Sequence, residues 1–512
     1  MNKKNLMRNN WAIIATGILF AALLLLRINS NKYSQDTLVA FELLQSILQR
    51  GDTLIYSGAI GWGSSFNAHL NLIYILLAPL RILGVEVMIF VWKFSCYFGF
   101  LLIIWKYIKY NEQVNLSVLH KNLFLLLIAL HPTLISNFVS PDIWDSDLAL
   151  PLIGISIFAA LRKNYKSASI CILLASTVKE DIILIAVLFG VMLVILSKEY
   201  KYLLISLVSA IWFIVVTKYI MPSFASNGHD LALLKFSFGD LGSTMGEVIS
   251  NSILHPSMVL ENGLWLRKIS SIVIMIGCFS MLPLVRRLSL IMLIPTIGIF
   301  GYAILAKQPY LDFSKHNIIS VFPFLAFGAY YSFSVISAKT RSILLPATLI
   351  ASILITLLLQ LWIRQWSFYF WPASNSQSVL SIKERYIPNN SLLLTGGVGS
   401  PWVCYDNRCP VGAGFSKEEI DKAKYDFILI NLNTIFWEEL TCNIGDMRGH
   451  LDALNKNLGY KLVVYENNVV LLERVDELAV SSNYNWTENF DALIKINHDC
   501  AKPTWARTLR LM

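Results

Sequence analysis

The stretch Ile170-Cys-Ile-Leu-Leu-Ala-Ser-Thr-Val-Lys-Glu-Asp-Ile-Ile-Leu-Ile-Ala-Val187 decides how this chain folds, because Lys179, Glu180 and Asp181 separate two strongly apolar runs. One helix through the whole stretch would bury three ionisable side chains in lipid, which costs several kcal/mol. Two spans that meet near the triplet avoid most of that cost, so we predict a helix break there. Ionisable residues at this depth mark a cavity or a substrate pathway. The alternative is a helix junction whose charges pair with one another.

The composition is typical of a polytopic membrane protein. Of the 512 residues, 55% are hydrophobic and 15% are charged, and the mean hydropathy is +0.57. Soluble chains of this length are far less apolar. The formal net charge is +9, but many Lys and Arg residues lie in short loops beside apolar stretches, where they orient a membrane protein. We therefore expect a lipid bilayer, and not nucleic acid, as the partner of this charge.

About eleven apolar stretches are long enough, or nearly long enough, to cross a bilayer. Lys3, Lys4 and Arg8 precede the first stretch, and no small-residue cleavage site follows it, so we expect a retained span with a cytoplasmic amino terminus. The plain Lys and Arg clusters then fall inside, and the ends that carry acidic and histidine residues fall outside. We predict a multi-pass protein of the cytoplasmic (inner) membrane. Residues 28–84 form its first outer loop, with helices that lie along the interface.

The carboxyl-terminal region differs in character from about Pro372 onward. Short strand-like runs alternate with polar segments, and Glu466-Asn-Asn468 fits a hairpin turn. We predict a small exported α/β domain over residues 372–512. Four cysteines in this region are candidates for disulfides, and whether they pair stays open: Cys404, Cys409, Cys442 and Cys500.

Two carboxylates of the first outer loop are candidates for acid–base chemistry. Asp36 lies at the start of an amphipathic helical pattern, and Glu42 follows less than two turns later. A carboxylate at the membrane surface is able to accept a proton from an attacking hydroxyl. The alternative for Asp36 is a helix N-cap.

Several cationic or titratable residues are candidates for binding phosphate or sugar hydroxyls. His69 opens a predicted interfacial helix, and His316 opens a later span directly after Lys315. Lys179 or Lys315 would neutralise a lipid-linked phosphate. Each of these residues has an ordinary alternative as an interfacial anchor, and Arg267 and Lys268 compete for the phosphate role.

The sequence contains no motif that demands a metal or a nucleotide. Asp142, Asp145 and Asp147 offer oxygen ligands that suit a divalent cation, but their spacing also fits a solvated acidic turn. No Walker loop, dinucleotide fingerprint or zinc-protease motif is present in the sequence. We predict no cofactor, with a divalent metal left open.

Three stretches resemble one family. His69-Leu-Asn-Leu-Ile-Tyr-Ile-Leu-Leu-Ala-Pro-Leu80 resembles its His-Phe-Ser-Pro and the apolar run that ends Ala-Pro-Leu. Leu148-Ala-Leu-Pro-Leu152 and Thr177-Val-Lys-Glu-Asp181 resemble its Leu-Ala-Leu-Pro and Lys-Glu-Asp elements, and residues 316–324 resemble a span that ends Pro-Phe. The family consists of bacterial predicted multi-spanning membrane proteins of unknown function. It is similar to the C-type (GT-C) lipid-linked-sugar glycosyltransferases of the dolichyl-phosphate-mannose-protein mannosyltransferase superfamily.

The resemblance covers roughly residues 33–330 and implies an all-α, GT-C-like membrane domain. We place this domain at residues 1–371, before the predicted α/β domain. The resemblance also implies a transferase that moves a sugar from a polyprenyl-phosphate donor to a glycan, lipid or protein acceptor at the outer face of the membrane. Asp36 would act as the general base, helped by Glu42. The remaining candidates divide between the donor phosphate, which Lys179, Lys315 and His316 would hold, and the sugar pocket, which Glu180, Asp181 and His69 would line.

Two other functions are compatible with the sequence. A transporter or lipid flippase would use Lys179, Glu180 and Asp181 midway through the membrane, with access from both faces. A non-enzymatic assembly factor of the cell envelope would depend on the exported domain.

Overall fold

A computed structural model of the chain describes residues 3–29, 40, 43–44, 46–51, 54–57, 61–64, 66, 70–110, 116–140, 143–224, 238–242, 245–261, 265–306, 316–362, 376–389, 391–396, 424–431, 459–467 and 469–475.

Helices make up nearly all of the described chain up to residue 362. They are α1 (Lys3–Asn29), α2 (Ile73–Leu77), α3 (Val85–Tyr110), α4 (Val118–Ala129), α5 (Pro132–Val139), α6 (Asp145–Leu161), α7 (Tyr165–Ala175), α8 (Glu180–Ser197), α9 (Leu203–Val215), α10 (Met245–Leu254), α11 (Pro256–Glu261), α12 (Trp265–Gly277), α13 (Arg287–Leu293), α14 (Thr296–Leu305), α15 (His316–Ile319), α16 (Phe322–Val335) and α17 (Ala338–Trp362). A π-helix at Val216–Ile220 continues α9 into Met221–Ser223.

Proline residues bend two of the spans. Helices α4 and α5 meet at 51°, where Pro132 begins α5, and α13 and α14 meet at 53°, with Pro295 between them. Proline has no backbone N–H to donate and collides with the preceding turn, so a helix breaks or bends there. Each bent pair is therefore a broken span or a re-entrant segment.

Five described helices are long and apolar enough to cross a membrane, and the number is seven if each bent pair counts as one span. Helices α7 and α12 are apolar but shorter. The chain is therefore a membrane protein in its helical part, and the expected total of about eleven spans stays a prediction.

Three consecutive hairpins are formed by four of these helices. Helices α6, α7, α8 and α9 follow one another with short connections and pack side by side. Lys163 and Lys198 lie in the left-handed region, with φ of 61° and 65°, and end α6 and α8. The Tyr165 hydroxyl donates to the Leu196 carbonyl at 3.3 Å, which brings the start of α7 beside the end of α8. The basic residues of these connections therefore share one end of the bundle.

Helices α8 and α9 approach closely at a glycine. A Cβ atom on Gly190 would lie 2.7 Å from the Ser206 amide nitrogen and 3.0 Å from the Tyr202 carbonyl oxygen. The Ser206 hydroxyl donates to the Val187 carbonyl across the same contact, at 2.7 Å. Small residues allow such backbone contact between membrane helices.

The first outer loop contains a hairpin that the sequence analysis did not predict. Strands β1 (Leu54–Ser57) and β2 (Gly61–Ser64) pair antiparallel. The predicted interfacial helix over 69–83 is present in shortened form, as α2 followed by a 3₁₀ helix at Ala78–Leu83. Residues 70 and 71 precede it outside any helix.

In the carboxyl-terminal region, the described residues form a four-stranded sheet and one helix, in agreement with the predicted α/β character. The elements are α18 (Ser376–Tyr386), β3 (Leu393–Gly396), β4 (Phe427–Asn431), β5 (Tyr460–Glu466) and β6 (Val469–Arg474). The sheet order is β3-β4-β6-β5, with β3 parallel to β4 and the other pairs antiparallel. The predicted hairpin turn is observed, with Asn467 at a φ of 50° between β5 and β6. The domain boundary at 371/372 and the four cysteines lie outside the described residues.

Candidate functional site

The helix break at the charged triplet is present. Helix α7 ends at Ala175, and the Ser176 and Thr177 hydroxyls turn back to the carbonyls of Leu173 and Leu174, at 2.7 and 2.8 Å. Helix α8 begins at Glu180 after an extended Lys179. Both apolar runs thus form separate helices, and the single long helix is excluded.

The triplet is nearly buried and partly paired. The Lys179 ammonium lies 3.8 Å from Asp181 Oδ2, and the two side chains are only 5% and 8% exposed. Glu180 and Asp181 occupy the first turn of α8, where the positive end of the helix dipole favours carboxylates. The junction therefore balances part of its own charge, as the paired-junction alternative predicts.

Glu180 connects the triplet to the first outer loop. Its Oε2 accepts a hydrogen bond from the Leu70 amide at 3.3 Å. The next residue, Asn71, donates from Nδ2 to Asp145 Oδ2 at 2.9 Å. Residues directly after His69 thus bridge the amino-terminal ends of α6 and α8. Three stretches that are far apart in sequence meet at this point, and we call residues 70–71, Asp145 and 179–181 the junction site.

The other predicted site residues are not characterised by the structure. Asp36, Glu42, His69 and Lys315 lie outside the described residues, so their roles stay predictions. The backbone of His316 opens α15, which contacts α6, but the His316 side chain is not among those described.

The sequence analysis missed Lys93, which lies in the middle of α3 and is only 1% exposed. Its ammonium lies 2.9 Å from Asp147 Oδ2, and the Asp147 side chain has 0% exposure. The Tyr97 hydroxyl donates to the other oxygen of Asp147 at 2.6 Å. One lysine in an otherwise apolar helix was the available signal, because a buried charge needs a partner.

This contact corrects the metal hypothesis for Asp147. Both oxygens of that carboxylate accept hydrogen bonds, Oδ2 also from the Trp144 amide at 3.2 Å. Asp147 is therefore committed to protein donors. Among the residues that the structure describes, no group of three or more His, Cys, Asp or Glu side chains is arranged to hold a metal ion. Asp142 is outside them.

The Lys268 side chain binds backbone carbonyls at a helix end, and it is not a candidate for binding the phosphate. The ammonium donates to the carbonyls of Ile304 and Ala306, both at 2.8 Å, and lies 5.1 Å from the centre of the Trp265 ring. These carbonyls belong to the end of α14, so Lys268 caps that helix. The Arg267 side chain is outside the described set.

A comparison with known protein families shows which family the chain belongs to. Residues 54–471 match the family described as "Predicted membrane protein (DUF2079)". The chain belongs to this family. The match covers both hairpin strands of the outer loop, the junction site and most of the carboxyl-terminal sheet, and it agrees with the resemblance inferred from the sequence.

The DUF2079 protein has the fold of a solved membrane protein. It is similar to ArnT from Cupriavidus metallidurans bound to undecaprenyl phosphate, with a TM-score of 0.50 and 12% identity. The apo form of the same ArnT gives a TM-score of 0.50 and 11% identity, and each comparison covers 90% of this chain and 98% of ArnT. The likeness shows a GT-C-type fold, as predicted. A sequence comparison with curated proteins finds no significant match.

Proposed function

We propose that this chain is a glycosyltransferase of the cytoplasmic membrane that moves a sugar from a polyprenyl-phosphate donor to an acceptor at the outer face. The observation that carries the proposal is the combination of the ArnT-like fold with the junction site. The ArnT to which the fold is similar was solved with undecaprenyl phosphate bound. In this chain the fold brings the charged residues Asp145 and 179–181 together with residues 70–71.

The junction site supplies groups that suit such a reaction. Lys179 is a buried ammonium 3.8 Å from Asp181 Oδ2, and a phosphate that enters beside it would gain a strong electrostatic interaction. Asp181 and Asp145 offer oxygens to sugar hydroxyls. Glu180 is committed to the Leu70 amide, so in this proposal it holds the segment that follows His69 and lines the pocket only indirectly.

The reaction is balanced without a redox partner. The bond between the sugar C1 and the phosphate oxygen breaks, and a bond forms between C1 and the acceptor oxygen. Asp36, helped by Glu42, takes the proton of the acceptor hydroxyl. Polyprenyl phosphate leaves with the bond electrons, and Lys179, Lys315 and His316 stabilise its charge. Glycan, lipid and protein acceptors all fit this scheme.

The proposal is tested by sugar transfer with the purified full-length protein. Lipid extract from a strain that lacks the gene supplies the donor, which should accumulate there as one polyprenyl-phosphate sugar detectable by mass spectrometry. Addition of the protein and cell-envelope acceptor should convert this lipid to polyprenyl phosphate. Asp36→Asn should reduce conversion by about 10²-fold or more, whereas Glu199→Gln, an exposed carboxylate at the opposite end of α8, should not.

A second arm measures donor binding alone. Binding of undecaprenyl phosphate to the purified protein should weaken about tenfold in Lys179→Met. Lys201→Met is the matched control, because Lys201 is exposed at the opposite end of α8. Equal binding by both variants and the wild type, with no conversion of any lipid-linked sugar, would reject the transferase and favour a flippase or an assembly factor.

A further inference from the structure

Lys93, Tyr97 and Asp147 form a buried cluster that none of the proposed chemical steps uses. Lys93 and Tyr97 are one turn apart on α3, so their side chains share one face of the helix. Both bind the same carboxylate, Lys93 at 2.9 Å and Tyr97 at 2.6 Å. The Lys93 ammonium also donates to the Asn137 carbonyl near the end of α5, at 3.1 Å. This cluster therefore joins three helices at one carboxylate.

Asp147 lies in the first turn of α6, only two residues after Asp145. Its Oδ2 accepts from the Trp144 amide, which fixes the backbone where α6 begins. Asp145 Oδ2 in turn accepts a hydrogen bond from Asn71 Nδ2 at 2.9 Å. The amide of the neighbouring Leu70 donates to Glu180 Oε2. Two sets of polar contacts, joined by the backbone of the first turn of α6, thus connect Lys93 on α3 with the residues that follow His69.

The cost of burying charge holds the side chains of Lys93, Tyr97 and Asp147 in fixed positions. A charge buried away from water is stabilised only when a partner holds it in good geometry, and a fully engaged carboxylate has few alternative positions. Here Oδ1 and Oδ2 are both occupied. The first turn of α6, which carries Asp145, is therefore held to the face of α3.

We propose that Lys93, Tyr97 and Asp147 are positioning residues of the junction site. Their buried cluster fixes the start of α6, so that Asp145 holds the segment 70–71 in place at the junction site. This inference rests on the proposed function for its meaning, but the structural coupling is measured separately from sugar transfer.

Hydrogen–deuterium exchange of the full-length protein in detergent tests the coupling. The amides of Leu70, Tyr74 and Ile75 are hydrogen-bonded in the structure, to Glu180, Asn71 and Leu72. Tyr97→Phe keeps the ion pair and removes only the hydroxyl, and it should make these amides exchange about fivefold faster. The double variant Lys93→Met/Asp147→Asn removes both charges and should give an increase of about tenfold or more.

Ser289→Ala is the matched control. Ser289 is buried and bonds the Gly328 carbonyl and the Ser332 hydroxyl, both at 2.8 Å, where α13 packs on α16. Its loss should leave exchange at residues 70–77 at the wild-type rate. A global loosening of the bundle is recognised because peptides of α13 and α16 would then exchange faster as well.

Unchanged exchange at residues 70–77 in folded Tyr97→Phe and in the double variant would overturn the proposal. In the transfer assay the same variants should lose activity in proportion to the faster exchange. Faster exchange together with no transferase activity in the wild type would leave the coupling valid and reject the proposed function. Faster exchange with wild-type activity would show that the cluster does not position the site.

Discussion

At the scale of single residues, the charge of Lys93 is buried together with that of Asp147. It is the only charged residue of α3 between Glu86 and Lys106, and its partner Asp147 is as deeply buried. Removal of one partner leaves the other charge without compensation, whereas removal of both avoids that penalty.

Lys93→Met should therefore destabilise the protein more than Lys93→Met/Asp147→Asn does. The single change leaves a carboxylate with no cation, which typically costs about 3–5 kcal/mol. Thermal unfolding of the purified proteins in one detergent provides the comparison. We expect the single variant to melt about 5 °C or more below the double variant. The pair would have no such energetic role if the double variant melted lower than the single one.

The residue scale also separates what sequence can and cannot predict. Lys179, Glu180 and Asp181 are adjacent, and their apolar flanks alone reveal a helix break. The pairing of Lys93 with Asp147 depends on how α3 and α6 pack, which no local pattern encodes. The hydrogen bonds from Leu70 and Asn71 could not be predicted from the sequence either, because their partners lie on helices that are distant in sequence.

At the scale of helices and strands, the length of an apolar run predicts a helix well. The positions of breaks within such runs are harder to predict. Helices α3 and α17 have 26 and 25 residues and are mainly apolar, and this length by itself predicts that they span the membrane. Pro132 and Pro295 bend spans that hydropathy alone presents as continuous. The hairpin β1–β2 was missed because its strands are four residues long and β2 contains two glycines.

The contact between α8 and α9 gives a prediction for one glycine. Gly190→Ala places a Cβ against the Ser206 nitrogen and the Tyr202 oxygen, and these backbone atoms cannot rotate away. Overpacking of this kind costs about 1–3 kcal/mol. Gly99→Ala on α3 is the control, because a Cβ there meets nothing within 4 Å. Thermal unfolding should show a lower melting temperature for Gly190→Ala than for the wild type. The melting temperature of Gly99→Ala should be unchanged. Equal melting temperatures would mean that the two helices separate easily.

At the scale of the whole molecule, the bundle has two chemically different ends. The junction site lies where α6 and α8 begin, and Lys163, Lys198 and Lys201 lie where α6 and α8 end. The carboxyl-terminal sheet follows α17, and the sequence predicts that it shares the outer face with the junction site. Transfer from a polyprenyl-phosphate sugar outside the cell requires the acidic end to face outward, and the positive-inside rule predicts that orientation.

Sidedness is therefore the measurement that tests this account most directly. In a variant without the seven native cysteines, Thr177→Cys marks the junction end and Lys198→Cys marks the basic end of α8. A membrane-impermeant maleimide applied to spheroplasts should label Thr177→Cys at once and Lys198→Cys only after the membrane is permeabilised. Labelling of Lys198→Cys in intact spheroplasts, with Thr177→Cys protected until permeabilisation, would contradict an outward-facing site and the transfer reaction built on it.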